Sequence, residues 1–197
     1  MLNIDPLLNT LGLINPWPTV KPNVPSDPHH WFAEANAYML DKLLKPTHRV
    51  LEIGSWLGGS TRFIAEHCHQ IIAVDHWLGS SEHHSNPEFA KKLPTLYDTF
   101  LVNCWHLKDK ILPLRMSSET AFKLIKEKQL SIDLVYIDGD HSFEGAYKDI
   151  CTAWELKAII TGDDWLFGHD LPVRRAVQRF CKEKNLIARD HGNFWWI

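Results

Sequence analysis

No stretch of this 197-residue chain approaches the roughly 20 apolar residues that a membrane span requires, so a membrane is not an expected partner. The opening residues, MLNIDPLLNTLGLINP, lack a basic region ahead of their apolar positions. Asp5 and Pro6 interrupt any signal-like run, and export is not expected. Cysteine is scarce: Cys68, Cys104, Cys151 and Cys181 stand far apart with no CxxC pair. That spacing argues against a zinc framework or a dense disulfide lattice and favours a reducing, cytoplasmic setting. There is no cationic surplus either. A net charge of −3 gives no bulk electrostatic reason to bind nucleic acid, so small-molecule or glycan substrates are the better expectation. No internal repeat, low-complexity tract or second domain is visible.

What remains is an ordinary globular composition, 45% hydrophobic and 23% charged, at a length that favours one domain. Residues 1–25 carry Pro16, Pro18, Pro22 and Pro25 without periodicity and are read as an irregular arm that covers the site. Residues 26–197 are read as the domain. Ser26 or Asp27 before Pro28 predicts a helix start, followed by the apolar stripe Phe32, Ala35, Met39 and Leu43. Strand-like and helix-like segments then alternate: strands at 48–54, 71–75, 111–115, 132–138 and 158–164, helices near 59–67, 87–105, 118–128 and 143–155, and a last helical stripe at Val173, Ala176, Val177 and Phe180. Continuous apolar runs suit strands buried on both faces of a parallel sheet. The tail LIARDHGNFWWI reads as an antiparallel hairpin. The expected fold is therefore α/β: a doubly wound, mostly parallel, seven-stranded sheet with a C-terminal antiparallel hairpin and helices on both faces.

Chemistry concentrates at strand ends. In VLEIGSWLGGST (50–61) a strand runs into Glu52 and then Gly54, Gly58 and Gly59, where an open α/β sheet binds its ligand. A dinucleotide loop wants GxGxxG, but Trp56 stands at the second glycine and the spacing is GxxxGG. An acid two residues before the first glycine suits a ligand with a positive amino group, which favours S-adenosylmethionine over NAD. Asp75 ends the second strand, where a carboxylate accepts hydrogen bonds from ribose hydroxyls, although a strand-end turn residue is the plain alternative. After the third strand, Arg115 to Glu119 lie where adenine would dock, with Ser117 or Ser118 equally able to cap a helix. Nine tryptophans are many; Trp56, Trp77 and Trp165 sit beside these segments, and core packing competes with ring stacking for each.

The runs LEIGSWLGGST, VDHWLGSSEHH, RMSSETA, DLVYIDGDHSFEGAYKDI, ITGDDW and VRRAV, in this order, resemble the class I S-adenosylmethionine-dependent methyltransferases of the methyltransferase-24 type, with a Rossmann-like fold. These are similar to cation-dependent sugar and macrolide O-methyltransferases. The resemblance covers roughly residues 30–197. It implies a cofactor site at Glu52, Gly54, Ser55, Trp56, Gly58, Ser60, Asp75, His76, Ser117 and Asp138. One departure is AWELKAIITGDD, which lacks the Pro-Gly-Gly turn usual before the fifth strand.

Strand four ends in Asp138-Gly139-Asp140-His141 and strand five in Gly162-Asp163-Asp164-Trp165, so up to four carboxylates converge in one cleft. Such a cluster repels itself, and a hard divalent cation relieves it. By resemblance the ligands are Asp138, Asp163 and Asp164, for Mg²⁺ or Mn²⁺. His141 is the candidate catalytic base beside Asp138, with a helix-start role as its alternative. His83, His84, Glu82, His169 and Asp170 are secondary candidates for substrate contact or plain loop polarity, and Arg174 and Arg175 read as a solvated face. The expected activity is metal-assisted O-methylation of a hydroxyl on a sugar, glycan or small natural product, with homo-oligomer formation left open. Alternatives are a metal-independent methyltransferase, a non-catalytic cofactor-binding module, and a non-haem iron oxygenase using His141, Asp164 and His169.

Overall fold

In the computed structural model, which describes residues 3–28 and 31–197, seven strands form one sheet: β1 (Arg49–Ile53), β2 (Gln70–Asp75), β3 (Ile111–Arg115), β4 (Leu134–Ile137), β5 (Ile159–Gly162), β6 (Arg189–His191) and β7 (Phe194–Trp196). Their spatial order is β3-β2-β1-β4-β5-β7-β6. The first five strands run parallel and the β6–β7 hairpin is antiparallel to them. The expected doubly wound sheet is therefore present. Strands β1, β2 and β4 are buried almost end to end, as their unbroken apolar runs require of strands covered on both faces. The covering helices include α3 (Gly59–His67), α7 (Ser118–Glu127), α8 (Phe143–Trp154) and α9 (Pro172–Lys184). In α9 the predicted stripe Val173, Ala176, Val177 and Phe180 is the buried face.

This winding creates the site. From β1 the chain moves outward through β2 and β3, then returns to place β4 on the other side of β1. The loops leaving β1 and β4 flank that reversal, where a crevice opens at the carboxyl ends of the strands. Among the described residues no helix is long and apolar enough to cross a membrane.

Several local expectations are corrected. The arm is not irregular throughout: α1 (Asp5–Leu11) opens it, burying Leu7, Leu8 and Leu11. Nor does its first part cover the site. Trp17 donates its indole N–H to the carbonyl of Ile111 (2.7 Å), and Gln70 donates to the carbonyl of Asn3 (3.1 Å), both at the starts of strands and away from the crevice. The helix expected from Ser26 or Asp27 begins later, as α2 (Glu34–Leu43). Upstream, Asn103 holds the Asp27 backbone through both N–H (3.1 Å) and C=O (2.8 Å), and Pro28 follows unwound. Residues 29 and 30 of that predicted stretch lie outside the described residues. The helix expected over 87–105 is divided into α5 (Pro87–Ala90) and α6 (Leu96–Cys104), with Pro94 between them, and α4 (Ser81–Ser85) precedes both. Where the Pro-Gly-Gly turn is missing, Lys157 takes a left-handed φ of 57° and makes the reversal into β5.

The hairpin closes on β5 through a glycine. A Cβ on Gly162 would lie 2.4 Å from the Trp195 ring and 2.5 Å from the carbonyl oxygen of Ile137, so only a missing side chain leaves room for the buried Trp195 there. Gly162→Ala is expected to cost about 2–3 kcal/mol, lowering the thermal midpoint by roughly 5–10 °C. A midpoint equal to wild type would contradict this packing.

Candidate active site

The crevice is a cleft of about 1180 Å³ whose wall includes Gly54, Ser55, Trp56, Ser60, Asp75, His76, Asp138, His141, Asp163 and Asp164. Its floor depends on Gly54. With φ at 86°, this residue occupies the left-handed region, and a Cβ there would stand 1.9 Å from the carbonyl oxygen of Asp138. The glycine thus lets the end of β4 lie against the loop after β1.

Behind the loop, Glu52 is fully buried and accepts hydrogen bonds from Ser55 (2.7 Å), Ser60 (2.6 Å) and Thr61 (2.5 Å). Burial pushes its carboxyl up to about 7 against those three hydroxyl groups, with a smaller push from the charge of Asp75. Asp75 clamps the loop from β2: one carboxylate oxygen accepts the amides of Ser55 (3.1 Å) and Trp56 (2.9 Å), and the other accepts the amide of Trp77 (2.7 Å). Trp56 itself is left-handed, with φ at 44°. A conformation that costs a side-chain-bearing residue about 1–2 kcal/mol is thus held by Asp75 and by the Trp77 indole, which donates to the Trp56 carbonyl at 2.8 Å.

Across the cleft, His141 Nε2 lies 3.1 Å from Asp164 and 3.9 Å from Asp138. Among the described residues, Asp138, His141 and Asp164 form the one group whose ligand atoms all lie within 4.8 Å of one another. Asp164 reaches this position from a left-handed backbone, φ 67°. Burial, and then the neighbouring carboxylates, hold the Asp138 carboxyl well above its ordinary value. Asp164 is also raised, by burial first, with His141 opposing the shift. These groups lack enough positive charge of their own, and two carboxylates with an imidazole are a donor set that a hard or borderline divalent cation accepts. Asp163, one of the three expected ligands, is not in the group. Its carboxylate turns back to accept the amide of Asp164 (2.8 Å), while its carbonyl accepts the Trp195 indole N–H (2.7 Å).

Aromatic rings form one rim. Trp56 and His83 stack with centroids 4.0 Å apart at 12°, and Trp31 lies 5.4 Å from Trp56 and 4.9 Å from Phe89. Burial lowers the His83 pKa from its ordinary value.

The profile of the methyltransferase-24 type, a methyltransferase domain, matches residues 51–171. The chain belongs to this methyltransferase family. No curated protein matches it by sequence. Solved structures similar to it include an O-methyltransferase from Bacillus cereus in complex with S-adenosylhomocysteine, at TM-score 0.62 and 17% identity over 86% of this chain and 82% of that one. A precorrin-8w decarboxylase from Methanobacterium thermoautotrophicum superposes at 0.60 with 13% identity over 84% and 80% of the two chains. A TDP-rhamnose 3'-O-methyltransferase of calicheamicin biosynthesis superposes at 0.54 with 14% identity over 82% and 78%. At these identities the structural likeness is one of fold.

Within the methyltransferase fold, three expected cofactor residues stand off the cleft wall. Glu52 lies behind it. Gly58 faces α6, where a Cβ would meet Cys104 Sγ at 2.5 Å. Ser117 caps α7 by accepting the Thr120 amide (3.3 Å), and its neighbour Ser118 reaches the wall instead. Trp77 and Trp165 are core residues, 1% and 4% exposed. Asp170 is paired with Arg175 (2.8 Å), and Arg174 lies over Trp165 (5.1 Å). His169 is absent from the His–carboxylate group, so the oxygenase triad is not assembled. Sequence reading missed Trp31, Phe89 and Asp149 on the wall. Only the position of Asp149 on the inner face of an amphipathic helix could have signalled it.

Glu52 makes stability depend on pH. Its folded pKa lies above the unfolded value, so native protein holds the proton more tightly and loses stability as pH rises from about 4.5 to about 7. Glu52→Gln removes this titration. The melting temperature of wild type minus that of the variant should therefore fall between pH 5 and pH 7.5; a difference independent of pH would contradict the buried carboxyl.

Proposed function

We propose that the protein is an S-adenosylmethionine-dependent O-methyltransferase assisted by a divalent metal, acting on a hydroxyl of a sugar or small natural product. The convergence of Asp138, His141 and Asp164 beside the loop clamped by Asp75 carries this reading. Bound S-adenosylmethionine supplies an electrophilic methyl group on a sulfonium. Gly54, Ser55, Trp56 and Ser60 receive its amino-acid part from the loop side, and Asp75, with His76 next to it, takes the ribose hydroxyls on the lone pairs its three amide contacts leave free. Glu52 acts from behind by fixing Ser55 and Ser60.

Asp138 and Asp164, with His141, would hold Mg²⁺ or Mn²⁺, which would polarise the acceptor oxygen. Asp163 contributes by setting the Asp164 backbone. Trp31, Trp56 and His83 present flat surfaces at the rim, next to the polar Glu82 and Asn86, a combination suited to a glycosyl ring. The fold neighbours support the acceptor class, since one is a TDP-rhamnose 3'-O-methyltransferase. We take residues 26–197 as the catalytic domain and the cytoplasm as its setting.

The 3.1 Å contact of His141 Nε2 with Asp164 also favours a metal-independent variant, in which Asp164 orients His141 and the imidazole removes the hydroxyl proton directly. Treatment with EDTA separates the two. Under the metal-assisted reading, methyl transfer from labelled S-adenosylmethionine to a glycosidic acceptor panel falls at least about 100-fold with EDTA and returns with Mg²⁺ or Mn²⁺. Activity that survives EDTA selects the His141 base. In either case His141→Ala should cost about 100-fold or more in turnover while S-adenosylhomocysteine affinity stays within about 3-fold. Asp75→Ala should weaken that affinity by at least about 10-fold. Binding of NADH in place of S-adenosylhomocysteine would contradict both readings.

A further inference from the structure

The proposed chemistry leaves one buried acid of the cleft wall unused. Asp149, in the second turn of α8, is 5% exposed and lines the cleft beside Ser118 and Ser142. One carboxylate oxygen, Oδ1, accepts the hydroxyl of Ser118 at 2.7 Å. The other accepts no hydrogen bond from any described residue. The adjacent Lys148 offsets its charge only in part, since that ammonium is paired with Glu119 at 2.6 Å. Burial first, and then the charge of Asp140, push the Asp149 carboxyl up to about 6. That second oxygen is not sealed in the interior, and the space open to it is the cleft, from which a donor can arrive.

The location says which donor. Ser118 opens α7 directly after β3, and β3 is the strand beside β2, whose last residue is Asp75, paired in register with Arg115. A nucleoside whose ribose sits on Asp75 therefore carries its base outward, toward the first turn of α7 and the Asp149 carboxylate above it. Adenine presents an exocyclic amine, a two-hydrogen donor. A 6-oxo purine presents an acceptor at the same position.

Resting on the S-adenosylmethionine reading, we propose that Asp149 is the base-selecting residue of the site, its free oxygen accepting an N–H of the adenine amine while Ser118 fixes the carboxylate. A 6-oxo purine sets its O6 against the carboxylate oxygen and keeps only the neighbouring N1–H as a donor, so it retains a hydrogen bond to Asp149 only by shifting across the pocket, a mismatch that binding sites discriminate against.

The experiment is calorimetric titration of the full chain with S-adenosylhomocysteine and with S-inosylhomocysteine, which differs from it in carrying oxygen for the amine. Wild type should prefer the adenosyl compound by about 100-fold. Asp149→Asn can donate to the 6-oxo group and should shrink the ratio below about 5-fold or reverse it, and Asp149→Ala should shrink it similarly. Because the ratio is read within each protein, a variant that is merely less stable does not mimic the effect, and the wild-type comparison needs no variant. Equal affinity of wild type for both compounds, or an unchanged ratio in Asp149→Asn, overturns the assignment while leaving the cofactor reading standing. If wild type binds neither compound, the cofactor reading falls and takes the assignment with it.

Discussion

A missing Cβ at residue 54 governs the rest of the cleft. Because Gly54 lets the carbonyl of Asp138 approach to where a side chain would otherwise stand, the loop after β1 and the end of β4 meet at the reversal of the sheet. Asp138 is then carried to the edge of the loop, and His141, three residues on, swings over Asp164 from the neighbouring strand. Asp75 completes the arrangement from the other side by accepting amides of the same loop. Three strand ends are thereby held to one short turn.

Electrostatics follows from that closeness. Glu52, Asp138, Asp163, Asp164 and Asp149 all have carboxyls raised by burial, and they lie around one cleft. Such a cluster is poor for stability and common where a site is kept ready for positive charge or hydrogen-bond donors. The ligands proposed here answer each part of it: a sulfonium-bearing cofactor with an ammonium at the loop, a divalent cation at Asp138 and Asp164, and an amine at Asp149. The strained backbones of Trp56 and Asp164 fit the same picture, since both hold side chains at the cleft in a conformation that neighbouring hydrogen bonds stabilise.

Much of this was legible in sequence because local pattern and tertiary burial agree in the sheet. The run ILPLR is β3 over its full predicted span, and the stripe of α9 is its buried face. The losses occurred where distant partners decide. Asn103, 76 residues from Asp27, keeps the chain extended where capping signals predict a helix. Leu7, Leu8 and Leu11 are the buried residues of a helix within a proline-rich arm that Gln70 and Ile111, at the starts of β2 and β3, hold by hydrogen bonds to Asn3 and Trp17. At the site, the order of acids along the chain placed Asp163 and Asp164 together, but whichever side chain faces the cleft depends on the backbone turn. The left-handed Asp164 turns inward and Asp163 caps it. The same one-residue ambiguity separates Ser117, a helix cap, from Ser118 on the wall.

The central claim is that the Gly54 loop and Asp75 together form an S-adenosyl site. A crystal of the protein with bound S-adenosylhomocysteine tests it most directly. The account predicts ligand density running along residues 54–60, with both ribose hydroxyls on the Asp75 carboxylate and the thioether sulfur facing Asp138 and His141. Density elsewhere on the molecule, or a ribose with no contact to Asp75, would contradict it.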